Sequence, residues 1–218
     1  WMVDDLTVLH QLLAGEKYNT KTARLFDPKD AYRTKGRGGR SSLTAGTNLP
    51  NGVITHFYLP EGMEKDSVVL NYHNAAGDLL ASYSNKAKER SKKLTLDKGA
   101  NTFVWGTRGA GAERLEGMIL WWANLDGPKA VPGAYKVSMS VGDQTVATHD
   151  FSILADPRAE ASVADMQAQY DFISKVNTTI NDAHDAIKNI RDVNTKLSVF
   201  MKKYKGDTAV SDLYTMAK

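Results

Sequence analysis

The sequence predicts an antiparallel β-sandwich followed by a long coiled-coil-like C-terminal helix and a short return helix. Between residues 53 and 154, short segments of alternating apolar and polar residues are separated by turns rich in Gly, Pro and Asn. From Ser162 to Lys205 the chain has neither Gly nor Pro, and its apolar residues recur every three or four positions. The class is therefore mainly β with an added α-helical part.

Composition excludes several kinds of function. The chain has 218 residues, a net charge of +3 and no cysteine. Without cysteine there is neither a disulfide framework nor a thiolate metal site, and so small a net charge does not indicate a nucleic-acid partner. No apolar run approaches the roughly 20 residues that span a bilayer. We expect no cofactor, no nucleic-acid partner and no membrane insertion.

Residues 1–48 are predicted to form an N-terminal extension that lies over the surface, anchored by Leu25, Phe26 and Tyr32. Within it, the pair Asp4–Asp5 has two interpretations. Two carboxylates can act as metal ligands or as a catalytic acid and base. They can also end a strand and begin a helix, with Asp5 or Thr7 as the cap. No second carboxylate pattern supports the first interpretation, so we favour the cap.

A basic run, Arg33 to Arg40, follows in the same extension. Clustered Arg with flexible Gly can contact phosphate groups or nucleic acid. The run lacks the Gly-Lys-Ser/Thr sequence of a phosphate-binding loop, and no aromatic residue is interleaved for base stacking. We therefore favour a solvated loop.

Residues 49–156 are predicted to form the sandwich, with about seven or eight strands. Val68, Leu70 and Tyr72 alternate on one face of a strand, and Phe151 and Ile153 do the same near the end of the domain. The predicted strands are Val53–Leu59, Ser67–Tyr72, Leu79–Tyr83, one beginning at Leu94, Gly99–Trp105, Met118–Trp122, Tyr135–Val141 and Gln144–Leu154.

Trp121 and Trp122 are the candidate ligand or interface residues of the sandwich. Consecutive residues of a strand point to opposite faces, so only one of the two is expected to face the core. The other is either covered by a neighbouring segment or exposed as a platform on which a sugar ring stacks. We favour core and interdomain packing over carbohydrate binding.

Residues 157–218 are predicted to form a helical arm. Ser162 and Asp165 have the spacing of a capping box, and Asn194 is a polar residue at an apolar heptad position that can fix the pairing register. A single helix cannot bury its own apolar stripe, so we expect self-association through this helix. The candidate helix–helix interface consists of Ile173, Val176, Ile180, Ile187, Ile190 and Leu197.

Two motifs carry a family resemblance. Gly-x-Asn-x-Phe-x-Trp (Gly99 to Trp105) and Pro-Gly-x-Tyr-x-Val (Pro132 to Val137) resemble the Ig-like domain of the flagellar hook-capping type, with an Ig/fibronectin-III-like sandwich. Nearly the whole chain is similar to the C-terminal region of bacterial sortilin-type or neuraminidase-repeat β-propeller proteins, often called glycosyl hydrolases. The further matching pieces are Trp1 to Thr7, Pro50 to Ile54, Gly127–Pro128, and Asp156 to Arg158 before a long helix.

The resemblance implies that a propeller precedes Trp1 and that any catalytic site lies on that propeller. The five histidines have no metal-ligand spacing, and no nucleophile motif is present. We therefore expect a non-catalytic structural or interaction module, the C-terminal fragment of an exported bacterial protein of the periplasm or exterior. The alternative is a carbohydrate-binding accessory domain of a glycoside hydrolase.

Overall fold

A computed structural model describes residues 5–14, 19–34, 49–204 and 206–216. In these ranges the chain forms two β-sheets, one long helix and two short helices, which confirms the predicted fold class. The elements are α1 (Thr7–Ala14), β1 (Arg24–Leu25), β2 (Ala31–Arg33), β3 (Val53–Leu59), β4 (Val68–Asn74), β5 (Leu79–Ser84), β6 (Gly99–Trp105), β7 (Gly133–Val141), β8 (Gln144–Ala155), α2 (Val163–Lys203) and α3 (Thr208–Met216).

The chain divides into two compact units. The first consists of residues 1–110 and 128–171, and the second of residues 111–127 and 172–218. The first unit holds both sheets. The second holds most of α2, all of α3, and the segment that lies between β6 and β7 in the sequence.

One sheet has the strand order β1-β3-β6, and the other has the order β2-β8-β7-β4-β5. Every neighbouring pair is antiparallel except β2 and β8, which run parallel. The N-terminal extension thus supplies an outer strand to each sheet. Such an addition satisfies backbone groups that an open sheet edge leaves unpaired, and it introduces the parallel pair that the sequence pattern did not predict.

Aromatic side chains from both sheets meet in the core of the first unit. Trp105 of β6 stacks on Tyr72 of β4, with ring centroids 4.5 Å apart and an interplanar angle of 22°. Phe151 of β8 meets both rings edge-on. The hydroxyl groups of Tyr72 and Thr55 share a buried hydrogen bond of 2.8 Å. Of the predicted inward residues, Phe103 and Val141 are half-buried, and the others are buried, namely Val68, Leu70, Tyr72, Trp105, Tyr135, Val137, Met139, Phe151 and Ile153.

Side-chain hydrogen bonds close the turns at the two motifs. Asn101 accepts from the backbone N–H of Asp97 at 2.8 Å and donates to its carbonyl at 2.7 Å, around Gly99 at φ +89°. The Tyr135 hydroxyl donates to the Val131 carbonyl, which ties the Pro-Gly turn to the strand that follows. Each motif therefore couples a turn to an inward aromatic residue.

Three predictions made from the sequence are wrong. Leu94 is buried, but no strand begins there, because the preceding segment is a short 3-10 turn followed by irregular chain. Met118–Trp122 is not a strand. The Tyr32 side chain is exposed, so the extension is held at this position by backbone pairing with β8 and not by the side chain, whereas Leu25 and Phe26 are buried as predicted.

Each helix begins with a polar cap. The Asp5 carboxylate accepts from the backbone N–H of Thr7 at 3.0 Å, so the capping interpretation of Asp5 is confirmed, while Asp4 lies outside the described residues. Ser162 and Asp165 form the predicted capping box, with bonds of 2.9 and 3.2 Å. Asp207 caps α3. Of the helices described, none has the length and apolar character needed to cross a membrane.

Candidate functional site

The loop of residues 111–127 closes on itself at a narrow neck. The Ala112 N–H donates to the Leu125 carbonyl at 3.0 Å. A Cβ at position 111 would lie 1.9 Å from the Leu125 oxygen and 2.9 Å from the Gly127 nitrogen. Only glycine therefore fits at position 111, and the two ends of the loop are held together by close backbone contact.

A row of polar side chains on α2 binds the backbone of this loop. We call Asn177, Asn181, His184, Lys188 and Arg191 the polar row; its members are spaced four, three, four and three residues apart, so they share one helix face. Asn177 donates to the Asp126 carbonyl at 3.3 Å, and Arg191 donates to the Glu116 carbonyl at 3.1 Å.

Three members of the polar row converge on Glu113. Its N–H donates to the Asn181 side-chain oxygen at 2.7 Å, and its carbonyl lies 2.8 Å from His184 Nδ1. Because a carbonyl only accepts, His184 Nδ1 carries the proton. Lys188 reaches the Glu113 carboxylate at 3.2 Å, and the carboxylates of Asp185 and Glu113 raise the pKa of the Lys188 ammonium.

The polar row explains how backbone groups of this loop find hydrogen-bond partners although the loop does not form a strand. Backbone N–H and C=O groups need partners when they are removed from water, and side chains of α2 supply them here. Asn177 and His184 are themselves buried. The sequence analysis missed this arrangement, although polar residues at heptad spacing on the flank of the apolar stripe were the available signal.

Trp121 and Trp122 lie in the loop with their side chains in solvent. Trp121 is 85% exposed, Trp122 is 97% exposed, and the nearby Ile119 is 78% exposed. The expectation that one tryptophan packs into the core is therefore wrong, because the segment is a loop and the alternation rule of strands does not apply to it. We call Ile119, Trp121 and Trp122 the aromatic tip.

The structure leaves the six candidate interface residues of α2 without full burial. Ile173, Ile180 and Leu197 are half-buried. Val176, Ile187 and Ile190 are exposed, and further apolar side chains on the helix are exposed with them, namely Phe172, Val193, Phe200 and Tyr204. The second unit thus presents apolar residues along most of its long helix.

In the first unit, ionic contacts fasten the N-terminal segment to the sandwich. Asp5 pairs with Lys29 at 2.9 Å and lies 3.6 Å from His56. Hydrogen bonds from Thr7 and Lys29 hold the pKa of the Asp5 carboxyl well below its usual range. The Asp27 carboxylate also contacts His149 Nδ1. These pairs join residues far apart in the chain, so no local sequence pattern predicts them.

The basic run predicted at Arg33 to Arg40 is described only at its beginning, since residues 35–40 lie outside the described ranges. Arg33 donates to the Ala130 carbonyl at 3.1 Å and to the Gln169 side chain at 2.8 Å. Burial lowers the pKa of Arg33 and that of the neighbouring Lys129. Arg33 therefore makes structural contacts within the first unit.

Among the residues that the structure describes, no group of three or more His, Asp or Glu side chains is placed to hold a metal ion. No protein-family model matches this chain, and a search of curated proteins finds no match to its sequence. The aromatic tip and the exposed apolar residues of α2 are the two surfaces that bear on function.

Proposed function

We propose that this chain is a non-catalytic interaction module that associates through α2. The observation that carries this proposal is the exposure of apolar side chains at heptad spacing along α2, on a face that the polar row does not occupy. Phe172 is 69% exposed, Ile190 58% and Phe200 53%. Scattered apolar residues are normal on protein surfaces, but a continuous stripe of them typically marks an interface.

The physical argument concerns the stability of the helix itself. Most helical stability in proteins comes from packing of an apolar face, and isolated helices in water are marginal. The polar row stabilises one face of α2 by hydrogen bonds. A second helix packed on the apolar face would remove its side chains from water, and knobs-into-holes packing follows naturally from their heptad spacing.

The proposal is tested by measuring solution mass with light scattering across a concentration series. We expect a concentration-dependent dimer that Ile190→Asp abolishes, because the variant places a charge within the apolar stripe. Thr178→Asp is the matched control, since Thr178 is exposed on a different face of the same helix. A wild-type chain that stays monomeric at high micromolar concentration would contradict the proposal.

We further propose that the module is part of a larger exported bacterial β-propeller protein. The support is the pair of turn-and-aromatic motifs, in which Asn101 and Tyr135 each join a turn to the core. Sequencing the gene on both sides of this segment tests the idea. We expect an export signal and propeller repeats of the Ser-x-Asp-x-Gly-x-Thr-Trp type upstream, and their absence would refute it.

A second candidate function is carbohydrate binding by the aromatic tip, and the exposure of Trp121 and Trp122 favours it. Exposed indole faces can stack on apolar faces of sugar rings. Calorimetric titration with oligosaccharides is the test: Trp122→Ala should abolish binding, and Trp122→Phe should retain part of it. Equal binding by all three chains would remove this candidate.

A further inference from the structure

We infer that the helix which packs on α2 is α2 of a second copy of this chain, docked antiparallel with Ala183 of one copy facing Val193 of the other. This inference rests on the proposed function and names its partner. It concerns nine residues of α2 and Tyr204, which directly follows the helix; we call these ten residues the seam. They are Phe172, Val176, Thr179, Ala183, Ala186, Ile190, Val193, Leu197, Phe200 and Tyr204.

The seam is uncharged and open to solvent along its length. Its members are spaced alternately four and three residues apart, which places them on one face of the helix. Nine of them are exposed, and Leu197 is half-buried. The seam spans 33 residues, so it is about 50 Å long at the α-helical rise.

The loop contact explains why the seam differs from the interface that the sequence predicted. The polar row takes up one flank of the helix, and the predicted interface residues next to it, Ile173 and Ile180, are half-buried. The exposed apolar face therefore lies further around the helix from the polar row than the predicted interface does. It retains Val176, Ile190 and Leu197 of that interface and adds Phe172, Val193 and Phe200.

Antiparallel pairing makes large residues face small ones in the middle of the seam. In this register Ala186 faces Ile190, Ala183 faces Val193 and Thr179 faces Leu197, each pair occurring twice by symmetry. Close packing of this kind resembles that of protein interiors. The outer layers are Val176 with Phe200 and Phe172 with Tyr204.

A parallel pair would instead bring each residue opposite its own copy. Ala183 would face Ala183, which leaves unfilled space in the middle of the dimer interface. Phe200 would face Phe200, which places two large rings in one layer at the end of the interface. A shift of the antiparallel register by one heptad in one direction places Phe200 opposite Gln169. A shift by one heptad in the other direction places Phe172 and Val176 opposite residues beyond the end of α2. Of these three antiparallel registers, only the inferred one pairs every seam residue with another seam residue.

The available area suits a dimer. The six large exposed side chains of the seam have an exposed area of roughly 700 Å² in total, which is comparable to the about 800 Å² that each partner buries in a standard protein interface. The register also places Asp182 beside Lys196 of the second copy, twice, although Lys196 also pairs with Asp192 of its own helix at 2.6 Å. Lys175 and Lys203 approach each other near the ends, which is unfavourable.

Disulfide trapping tests the register, since the natural chain has no cysteine. The variants Ala183→Cys and Val193→Cys are oxidised separately and as an equimolar mixture. We expect at least tenfold more cross-linked dimer in the mixture than in either variant alone. Thr178→Cys, on a different face of α2, is the control and should cross-link only at background level.

The outcomes separate this inference from the proposed function. Cross-linking of Ala183→Cys and Val193→Cys each with itself would indicate a parallel dimer, which overturns the register while self-association stands. A wild-type chain without concentration-dependent dimer would overturn both. A dimer whose mixture gives no excess of cross-link would overturn the register as well.

Charge reversal provides an independent measurement. Lys175→Glu replaces two unfavourable Lys–Lys approaches with Glu–Lys pairs, so we expect the dimer Kd to fall about three- to tenfold at low salt. The gain should disappear at about 1 M salt, where exposed charges are screened. In a parallel dimer Lys175 would neighbour Ile180, so an unchanged Kd would contradict the antiparallel register.

Discussion

The two units of this chain differ in the side chains that they bury. In the first, aromatic residues from both sheets fill the interior, and Trp105 and Tyr72 are completely buried. In the second, the buried residues on α2 include Asn177 and His184, while apolar side chains such as Phe172 and Phe200 remain in solvent. The first unit thus buries mainly apolar side chains, as globular domains usually do. On α2 in the second unit, polar side chains are buried while large apolar side chains are exposed.

This difference indicates which unit has large apolar side chains available for a partner. Burial of a large apolar side chain contributes about 1.5–3 kcal/mol, so a core of stacked aromatics is stable without further partners. A hydrogen bond contributes about 0.5–1.5 kcal/mol net, because water competes for the same groups. The polar row can position a loop, but it leaves the apolar residues of its helix available for association.

The largest expected effect is on the core of the first unit. Trp105→Ala should lower the free energy of unfolding by about 3–5 kcal/mol, because it leaves a cavity beside Tyr72. Trp122→Ala is the matched control, and it should change stability by less than about 0.5 kcal/mol because its ring is in solvent. Urea denaturation followed by circular dichroism measures both values. Similar losses in the two variants would contradict the contrast between the units.

A smaller effect is expected in the second unit. Asn181→Ala removes the acceptor of the Glu113 N–H, so local opening of the loop should become easier by about 1–2 kcal/mol. The amide of Glu113 should then exchange its hydrogen about 5–30 times faster. Asn189→Ala, at an exposed position of the same helix, is the control. Unchanged exchange at Glu113 in both variants would show that the polar row does not hold the loop.

The smallest effect concerns the polar contacts of the first unit. Asp5→Ala removes a helix cap and should cost about 1 kcal/mol at neutral pH. Because folding lowers the pKa of this carboxyl, its contribution is complete above about pH 4, the unfolded value, and is lost as the pH falls through the folded-state pKa.

The measurement is the difference in unfolding free energy between the wild-type chain and the Asp5→Ala variant from pH 7 to pH 2. We expect the difference to shrink as the solution becomes acidic. Asp5→Asn retains a capping side chain without the charge, so its stability should depend less on pH in this range than that of the wild-type chain. A wild-type advantage that grows in acid would refute the assignment.

Local patterns predicted the sandwich well. The inward residues of β4, β6, β7 and β8 follow from alternation alone, and the cap at Ser162 follows from residue type and spacing. Strand bounds were accurate where turn residues flank an alternating run. The outer strands β1 and β2 were not predicted, because two or three residues are too few to form a periodic pattern.

The candidate site was harder to predict because its geometry depends on contacts distant in sequence. Met118–Trp122 is as apolar as a buried strand, and the polar residues at heptad spacing on α2 do not indicate which backbone groups they bind. The apolar stripe of α2 was found from its period. Which flank of that stripe stays open depends on Glu113 and its partners, about 70 residues away in the chain.

The narrow neck at Gly111 has a consequence for how this loop tolerates insertions. Once the ends of a loop are held together, doubling its length costs only about 0.6 kcal/mol of closure entropy. Between Ala112 and Leu125 the chain can therefore accept additional or different residues with little loss of stability, provided that Glu113 and Glu116 keep their contacts. The aromatic tip is a natural position for grafting a peptide epitope.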